Sequence, residues 1–138
     1  MGSTLAGLLF SGNVAWAFNL GDSRIYQLHD QKLTQLSVDH VDSRPLSGNR
    51  KAKPSLTQHL GISEEEFLVE PSMISCTLVP GDTFLLCSDG LTDMLSDEEI
   101  SEILVDHSSL SSQVERLIDF ALERGGRDNI TIILCTVS

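Results

Sequence analysis

The apolar positions of the chain fall into short runs separated by turn residues, and these runs predict seven β-strands. In residues 13–20 large side chains alternate with small ones. We therefore expect the small face to pack closely against a second layer and Trp16, on the large face, to fill a core. The run at 82–88 is almost continuously apolar, which is typical of a strand covered on both faces. The predicted strands are residues 4–10, 13–20, 23–29, 32–37, 72–79, 82–88 and 129–137.

Two helices are predicted between the sixth and seventh strands. Ser96 with Glu99, and Ser112 with Glu115, match the capping-box pattern that begins a helix. In the second helix the apolar residues recur at i, i+3, i+4, i+7 and i+8, and a glycine pair at 125–126 follows as a stop signal. The order of strands and helices predicts an α+β domain with a mostly antiparallel sheet.

Residues 41–61 interrupt the strand pattern and predict a flap-like loop, because the segment combines two prolines with two glycines. It also holds four of the nine basic residues of an acidic chain. Two interpretations stay open: a solvated surface loop, or a segment that contacts an anionic substrate. The basic residues of this loop are Arg44, Arg50, Lys51 and Lys53.

The composition limits the class of function. A chain of 138 residues is expected to form one domain. Its net charge of −11 argues against nucleic acid and against an anionic membrane surface, whereas it suits divalent cations and equally any soluble protein. Three cysteines in apolar contexts indicate reduced core residues. Neither a signal peptide nor a membrane span is expected, so the predicted location is the cytoplasm.

Three aspartates lie at strand ends with a glycine close by. Asp22 follows the second strand, Asp89 follows the apolar run at 82–88, and Asp128 precedes the last strand. A charge at a buried strand end is costly unless it is compensated, and either a divalent cation or backbone N–H groups can do so. Aspartate and glycine are also ordinary turn residues, so metal binding and turn formation both remain open from spacing alone.

Four motifs together resemble a known family: "NLGDSRIYQL" (19–28), "LSVDH" (36–40), "GDTFLLCSDGLTDMLSDEEI" (81–100) and "GGRDNITIIL" (125–134). They are similar to the metal-dependent serine/threonine phosphatases of the protein phosphatase 2C (PP2C, or PPM) type, above all the compact bacterial members. The resemblance implies a β-sandwich with helices on its outer faces. It also implies hydrolysis of phosphoserine and phosphothreonine by a metal-bound water, without a covalent intermediate and with two Mg²⁺ or Mn²⁺ ions.

The same resemblance implies roles for the three aspartates. Asp89 and Asp128 match ligands of the paired ions, and Asp22 matches a residue that helps to bind a third, weaker ion. The implied partners are a phosphoprotein substrate and a cognate Ser/Thr kinase.

The chain also departs from the family, whose catalytic domain is roughly twice as long, near the upper end of domain sizes. The family's N-terminal half carries further acidic ligands, a DGxGG motif and a phosphate-contacting arginine, and this sequence contains none of them. We therefore expect residues 1–138 to form the C-terminal half of the domain, about half of the sandwich. The isolated chain is expected to be weakly active or inactive and to self-associate through its uncovered sheet. The alternative is a non-catalytic, pseudophosphatase-like binding or regulatory module.

Overall fold

A computed structural model of the chain describes residues 4–40, 71–106 and 108–138. The predicted flap-like loop at 41–61 lies outside these ranges. The strands are β1 (Leu5–Ser11), β2 (Val14–Leu20), β3 (Arg24–His29), β4 (Lys32–Gln35), β5 (Ser72–Thr77), β6 (Thr83–Cys87) and β7 (Ile132–Thr136), and the helices are α1 (Asp89–Thr92), α2 (Asp97–Leu104) and α3 (Leu110–Glu123).

The strands form two sheets, and every pairing is antiparallel, as the sequence predicts. One sheet has the order β1-β2-β5 and the other the order β4-β3-β6-β7. Two-residue turns join β1 to β2 and β3 to β4, whereas the three helices lie between β6 and β7. The predicted turn at Asp30 and Gln31 joins β3 to β4, and both residues adopt positive φ angles (51° and 65°), as such hairpin turns require.

The two sheets pack against each other through the small face of β2. Phe10 of β1 contacts Phe84 of β6 edge-on, with ring centroids 5.9 Å apart. Ala15 pairs with Phe10 in the β1–β2 register, and both Ala15 and Ala17 are buried. The expectation of a closely packed small face is therefore confirmed. The opposite expectation for Trp16 is wrong: its residue is 40% exposed, because no helix among the described residues covers that outer face.

The helices instead cover the outer face of the four-stranded sheet. Side chains of β3 and β6 meet side chains from all three helices in one buried apolar cluster. The buried cluster consists of Tyr26, Leu28, Leu85, Cys87, Leu91, Leu95, Ile100, Ile103, Leu104, Leu117 and Ala121.

No helix in the described ranges has the length and apolarity to span a membrane.

The helix starts were predicted correctly in one case out of two. Ser96 and Glu99 form the expected reciprocal capping box of α2. The predicted box of Ser112 and Glu115 is wrong, because α3 begins three residues earlier, with Ser109 as its N-cap and its hydroxyl accepting from the Ser112 amide. Interactions outside the helix favour the earlier start, since the Gln113 side chain donates to two carbonyls of the 104–106 link.

Candidate functional site

Asp89 is the first residue of the four-residue helix α1, which the sequence did not predict. The preceding residue, Ser88, is extended and marks the change from β6 to the helix. Gly90 is buried, and a Cβ atom placed on it would lie 2.1 Å from the carbonyl oxygen of Asn129. Glycine is therefore needed here because the backbone beside Asp128 passes against α1, and not because the chain must turn sharply.

The Ser88 side chain ties the two aspartate-bearing segments together. Its hydroxyl donates to the Asn129 carbonyl at 3.2 Å and accepts from the Thr131 amide at 3.0 Å, while the Ser88 amide donates to the Thr131 carbonyl at 3.0 Å. These bonds explain why Ser88 makes no cap hydrogen bond to α1. Its role is structural, because both its hydroxyl and its amide are bonded to the backbone of residues 129–131. Asp128 is exposed, and its Oδ1 accepts from the Asn129 amide at 2.7 Å.

The register of the four-stranded sheet brings Asp22 to the end of the sheet where Asp89 and Asp128 lie. Arg24 of β3 pairs with Cys87 of β6. Asp22 lies two residues before Arg24 and Asp89 two residues after Cys87, so antiparallel pairing puts both at one end of the sheet. Asp128 reaches this end from β7, whose Ile132 also pairs with Cys87. We call this end, with its three aspartates, the carboxylate edge.

The chemistry of the carboxylate edge suits Mg²⁺ or Mn²⁺, which prefer carboxylate oxygens. Within residues 4–40, 71–106 and 108–138, however, no three His, Cys, Asp or Glu side chains are grouped closely enough to hold a metal ion. The three aspartates thus offer the type of donor that such an ion prefers, and they lie at one end of the sheet. The described residues do not, however, complete a metal site. The assignment of Asp22, Asp89 and Asp128 as ligands remains a prediction.

A hydrogen-bond network is centred on Arg24, two residues after Asp22 of the carboxylate edge. Its guanidinium donates twice to Asp39, at 3.1 and 2.7 Å, and once to the Tyr26 hydroxyl at 2.9 Å. That hydroxyl donates to Asp97, the first residue of α2, at 2.8 Å. Hydrogen bonding to Asp39 raises the pKa of Arg24, and burial raises the pKa of Tyr26. Both groups therefore keep their protons at neutral pH, and the network joins β3 to α2.

Cysteine chemistry plays no part in this site. Cys87 is buried, and burial raises the pKa of its thiol to about 12, so it stays protonated. All three cysteines are free thiols, but only Cys87 lies in the core; Cys76 and Cys135 are half-buried, which the sequence did not predict.

The sequence did not assign a role to Asp39 or His40, although both belong to the "LSVDH" motif. The structure places Asp39 on Arg24, and it places His40 on the backbone of Gly21, whose amide donates to His40 Nδ1 at 3.0 Å. A signal was available in the sequence: a carboxylate and an imidazole side by side after a short strand. Only the fold shows what they contact.

Comparison with known proteins gives a consistent result. The protein phosphatase 2C family matches residues 1–134. The serine/threonine protein phosphatase PstP of Mycobacterium tuberculosis is 37% identical over 146 residues, which cover 99% of this chain and 28% of that protein.

Two solved structures share the fold. PppA of Pseudomonas aeruginosa has a TM-score of 0.84 and 38% identity, over 97% of this chain and 56% of that one. The catalytic domain of PstP in complex with two manganese ions has a TM-score of 0.80 and 36% identity, over 99% of this chain and 60% of that one. The chain thus spans little more than half of the solved structures that it matches. With the family matching nearly its whole length, this chain belongs to the protein phosphatase 2C family.

Proposed function

We propose that the chain supplies the C-terminal part of a phosphatase domain for metal-dependent hydrolysis of phosphoserine and phosphothreonine in proteins. Asp89 and Asp128 would hold the paired Mn²⁺ or Mg²⁺ ions, and Asp22 would help to hold a third. One observation carries the proposal: the strand register delivers all three aspartates to the carboxylate edge. The two manganese ions in the PstP catalytic domain support the choice of metal.

The electrostatics explain why such a site needs a cation. Three carboxylates at one edge repel a phosphate group, and the chain carries a net charge of −11. Divalent ions, when bound, would offset this charge, polarise the phosphate and activate the attacking water. The chain's own contribution is positional: Ser88 and Gly90 hold the Asp89 and Asp128 segments in contact.

The extent of the domain follows from the same proposal. Residues 1–138 would form a partial domain. The described residues do not complete a donor set, which predicts weak or absent activity for this chain by itself, because affinity for a hard cation depends on the number of ligands. The substrates would be phosphoproteins made by a cognate Ser/Thr kinase. The free cysteines support a reducing, cytoplasmic location.

Self-association belongs to the proposal as well. β7 lies at the end of its sheet among the described strands, and Ile133 on it is 58% exposed. On the other sheet Leu9, Trp16 and Met73 are exposed. An open strand edge next to apolar side chains favours pairing with a second chain.

A second candidate function is a non-catalytic binding or regulatory module. It is favoured by the absence, within the described residues, of a side-chain group able to hold a metal ion. Such a module would keep the fold and the carboxylate edge without turnover.

One experiment separates the two functions. Hydrolysis of a phosphothreonine peptide is measured with Mn²⁺ for the 138-residue chain and for a longer protein that contains it. We expect Asp89→Asn and Asp128→Asn each to lower the turnover of the longer protein by about 100-fold, since each removes a direct ligand. Asp119→Asn, on the exposed surface of α3, serves as the control and should change nothing.

Two results would decide against the phosphatase proposal: no Mn²⁺-dependent turnover in the longer protein, or turnover that survives both substitutions. Light scattering of the same preparations tests self-association. A monomer mass for the 138-residue chain at high concentration contradicts it.

A further inference from the structure

The segment after β4, residues 36–40, runs beside residues 19–25 and is hydrogen-bonded to them along its whole length. We call it the 36–40 strap. At its start the Leu36 amide donates to the Ile25 carbonyl at 2.8 Å, and the Ile25 amide donates to the Ser37 hydroxyl at 3.0 Å. The strap thus begins by extending the pairing of β3 with β4.

Beyond Ser37 the contacts pass through side chains. Asn19, which is buried, donates to the Val38 carbonyl at 2.7 Å and accepts from the Val38 amide at 3.3 Å, as a neighbouring strand would. Asp39 accepts two hydrogen bonds from Arg24. The two sides of the 21–22 turn, β2 and β3, are therefore both fastened to the strap.

His40, at the end of the strap, holds the turn itself. Its amide donates to the Gly21 carbonyl at 2.9 Å, and the Gly21 amide donates back to His40 Nδ1 at 3.0 Å. Its other ring nitrogen, Nε2, lies 2.9 Å from the Ser72 hydroxyl of β5. Because Nδ1 accepts, the proton must be on Nε2, which then donates to Ser72.

This geometry excludes His40 as a metal ligand and as a positively charged side chain. Both ring nitrogens are engaged, so the imidazole is not available as a metal ligand. It is also held neutral, since burial lowers its pKa while the neighbouring Asp39 only partly opposes that effect. His40 thus bonds both backbone groups of Gly21, the carbonyl through its own backbone amide and the amide through its ring, and the two bonds together fix the conformation of the turn.

We propose that His40 is a positioning residue that fixes the Gly21–Asp22 turn and thereby sets the backbone from which Asp22 enters the carboxylate edge. The role of Asp22 as a ligand rests on the proposed function above. Through Ser72 the same ring couples this turn to the three-stranded sheet, so the position of Asp22 depends on both sheets.

The test uses the 138-residue chain and four substitutions. His40→Ala removes both ring contacts. His40→Asn places an amide oxygen where Nδ1 was and can still accept from the Gly21 amide, whereas His40→Gln reaches towards Ser72 instead. His29→Asn is the matched control, because His29 also bonds through Nδ1 at an end of β3, but at the end away from Asp22.

The first measurement is amide hydrogen exchange of Gly21 by NMR, with Leu85 of β6 as a reference for intact folding. We expect His40→Ala to speed Gly21 exchange about tenfold relative to Leu85, His40→Asn to restore most of the protection, and His40→Gln to restore less. His29→Asn should leave Gly21 unchanged. If His40→Ala leaves Gly21 protected, or if Gln restores as much protection as Asn, the proposal is wrong.

The second measurement is paramagnetic broadening of the Asp22 resonances by Mn²⁺. The midpoint should rise about tenfold in His40→Ala and return towards that of the wild type in His40→Asn. An unchanged midpoint in a folded His40→Ala chain contradicts the positioning role. If Mn²⁺ broadens no resonance at the carboxylate edge of the wild-type chain, Asp22 does not bind the ion in this chain, and the Gly21 exchange data alone decide whether His40 holds the turn.

Discussion

An aspartate flanks each end of strand β6, and the two carboxylates differ in their burial and in their surroundings. Asp82, just before the strand, is buried, and both of its carboxylate oxygens are bonded to β3: the Gln27 amide at 3.1 Å and the His29 ring at 2.7 Å. Asp89, just after the strand, is half-buried at an edge that also receives Asp22 and the exposed Asp128.

The comparison separates a structural carboxylate from a candidate ligand. At Asp82 the side chains of the fold itself compensate the charge, so no cation is needed. At Asp89 the contacts of Ser88 and Gly90 hold the backbone that follows Asp128 against α1, at the end of the sheet that Asp22 also reaches. Under the proposed function, a bound cation would offset the charge of the carboxylates at that end.

The largest effect is expected from Gly90→Ala. The added Cβ atom would overlap the Asn129 backbone, so we expect a loss of about 3 kcal/mol in the free energy of unfolding. Gly81→Ala, at the other end of β6, is the control: it adds strain at φ +97° but meets no atom within 4 Å, and should cost about 1 kcal/mol. Urea denaturation of both variants checks the difference, and equal losses would show that α1 and the Asp128 segment are not in close contact.

A smaller effect is expected when the two aspartates themselves are truncated. Asp82→Ala leaves the Gln27 and His29 donors without their buried acceptor and should cost about 2 kcal/mol. Asp89→Ala should cost less than about 1 kcal/mol, because the residue is half-buried and begins a helix of only four residues. Should thermal unfolding show Asp89→Ala to be the more damaging of the two, the distinction between the two ends would be lost.

The smallest effect is expected from the replacement of His29, the exposed partner of Asp82. The hydrogen bond from His29 to Asp82, and then the charge of Asp82, raise the pKa of His29 above 6.5. Its contribution to stability is therefore fully present below pH 6.5 and is lost as the pH rises through the raised pKa of the folded state. We expect the stability gap between the wild type and His29→Gln to be larger at pH 6 than at pH 9, and denaturation curves showing a gap that grows with pH would contradict this.

Much of the architecture could be predicted from local sequence. Strand positions, the antiparallel pairing, the small face of β2 and the Ser96 capping box all follow from periodicity or from neighbours within four residues, and the structure confirms them. The two errors, the burial of Trp16 and the start of α3, both come from rules that consider only a residue and its near neighbours in sequence. A large apolar side chain such as Trp16 usually lies in a core, and Ser112 is followed by Glu115 in the capping-box pattern, which Ser109 lacks.

By itself, the sequence determined which residues are candidates for chemistry: three aspartates at strand ends and the motifs around them. Only the tertiary structure decided how they are held. The contact of Gly90 with Asn129, the bonds of Ser88 to the Asp128 segment and the grip of His40 on Gly21 join residues 19 to 43 positions apart. No local propensity encodes such contacts, because they exist only once the strand register has brought distant segments to the same edge.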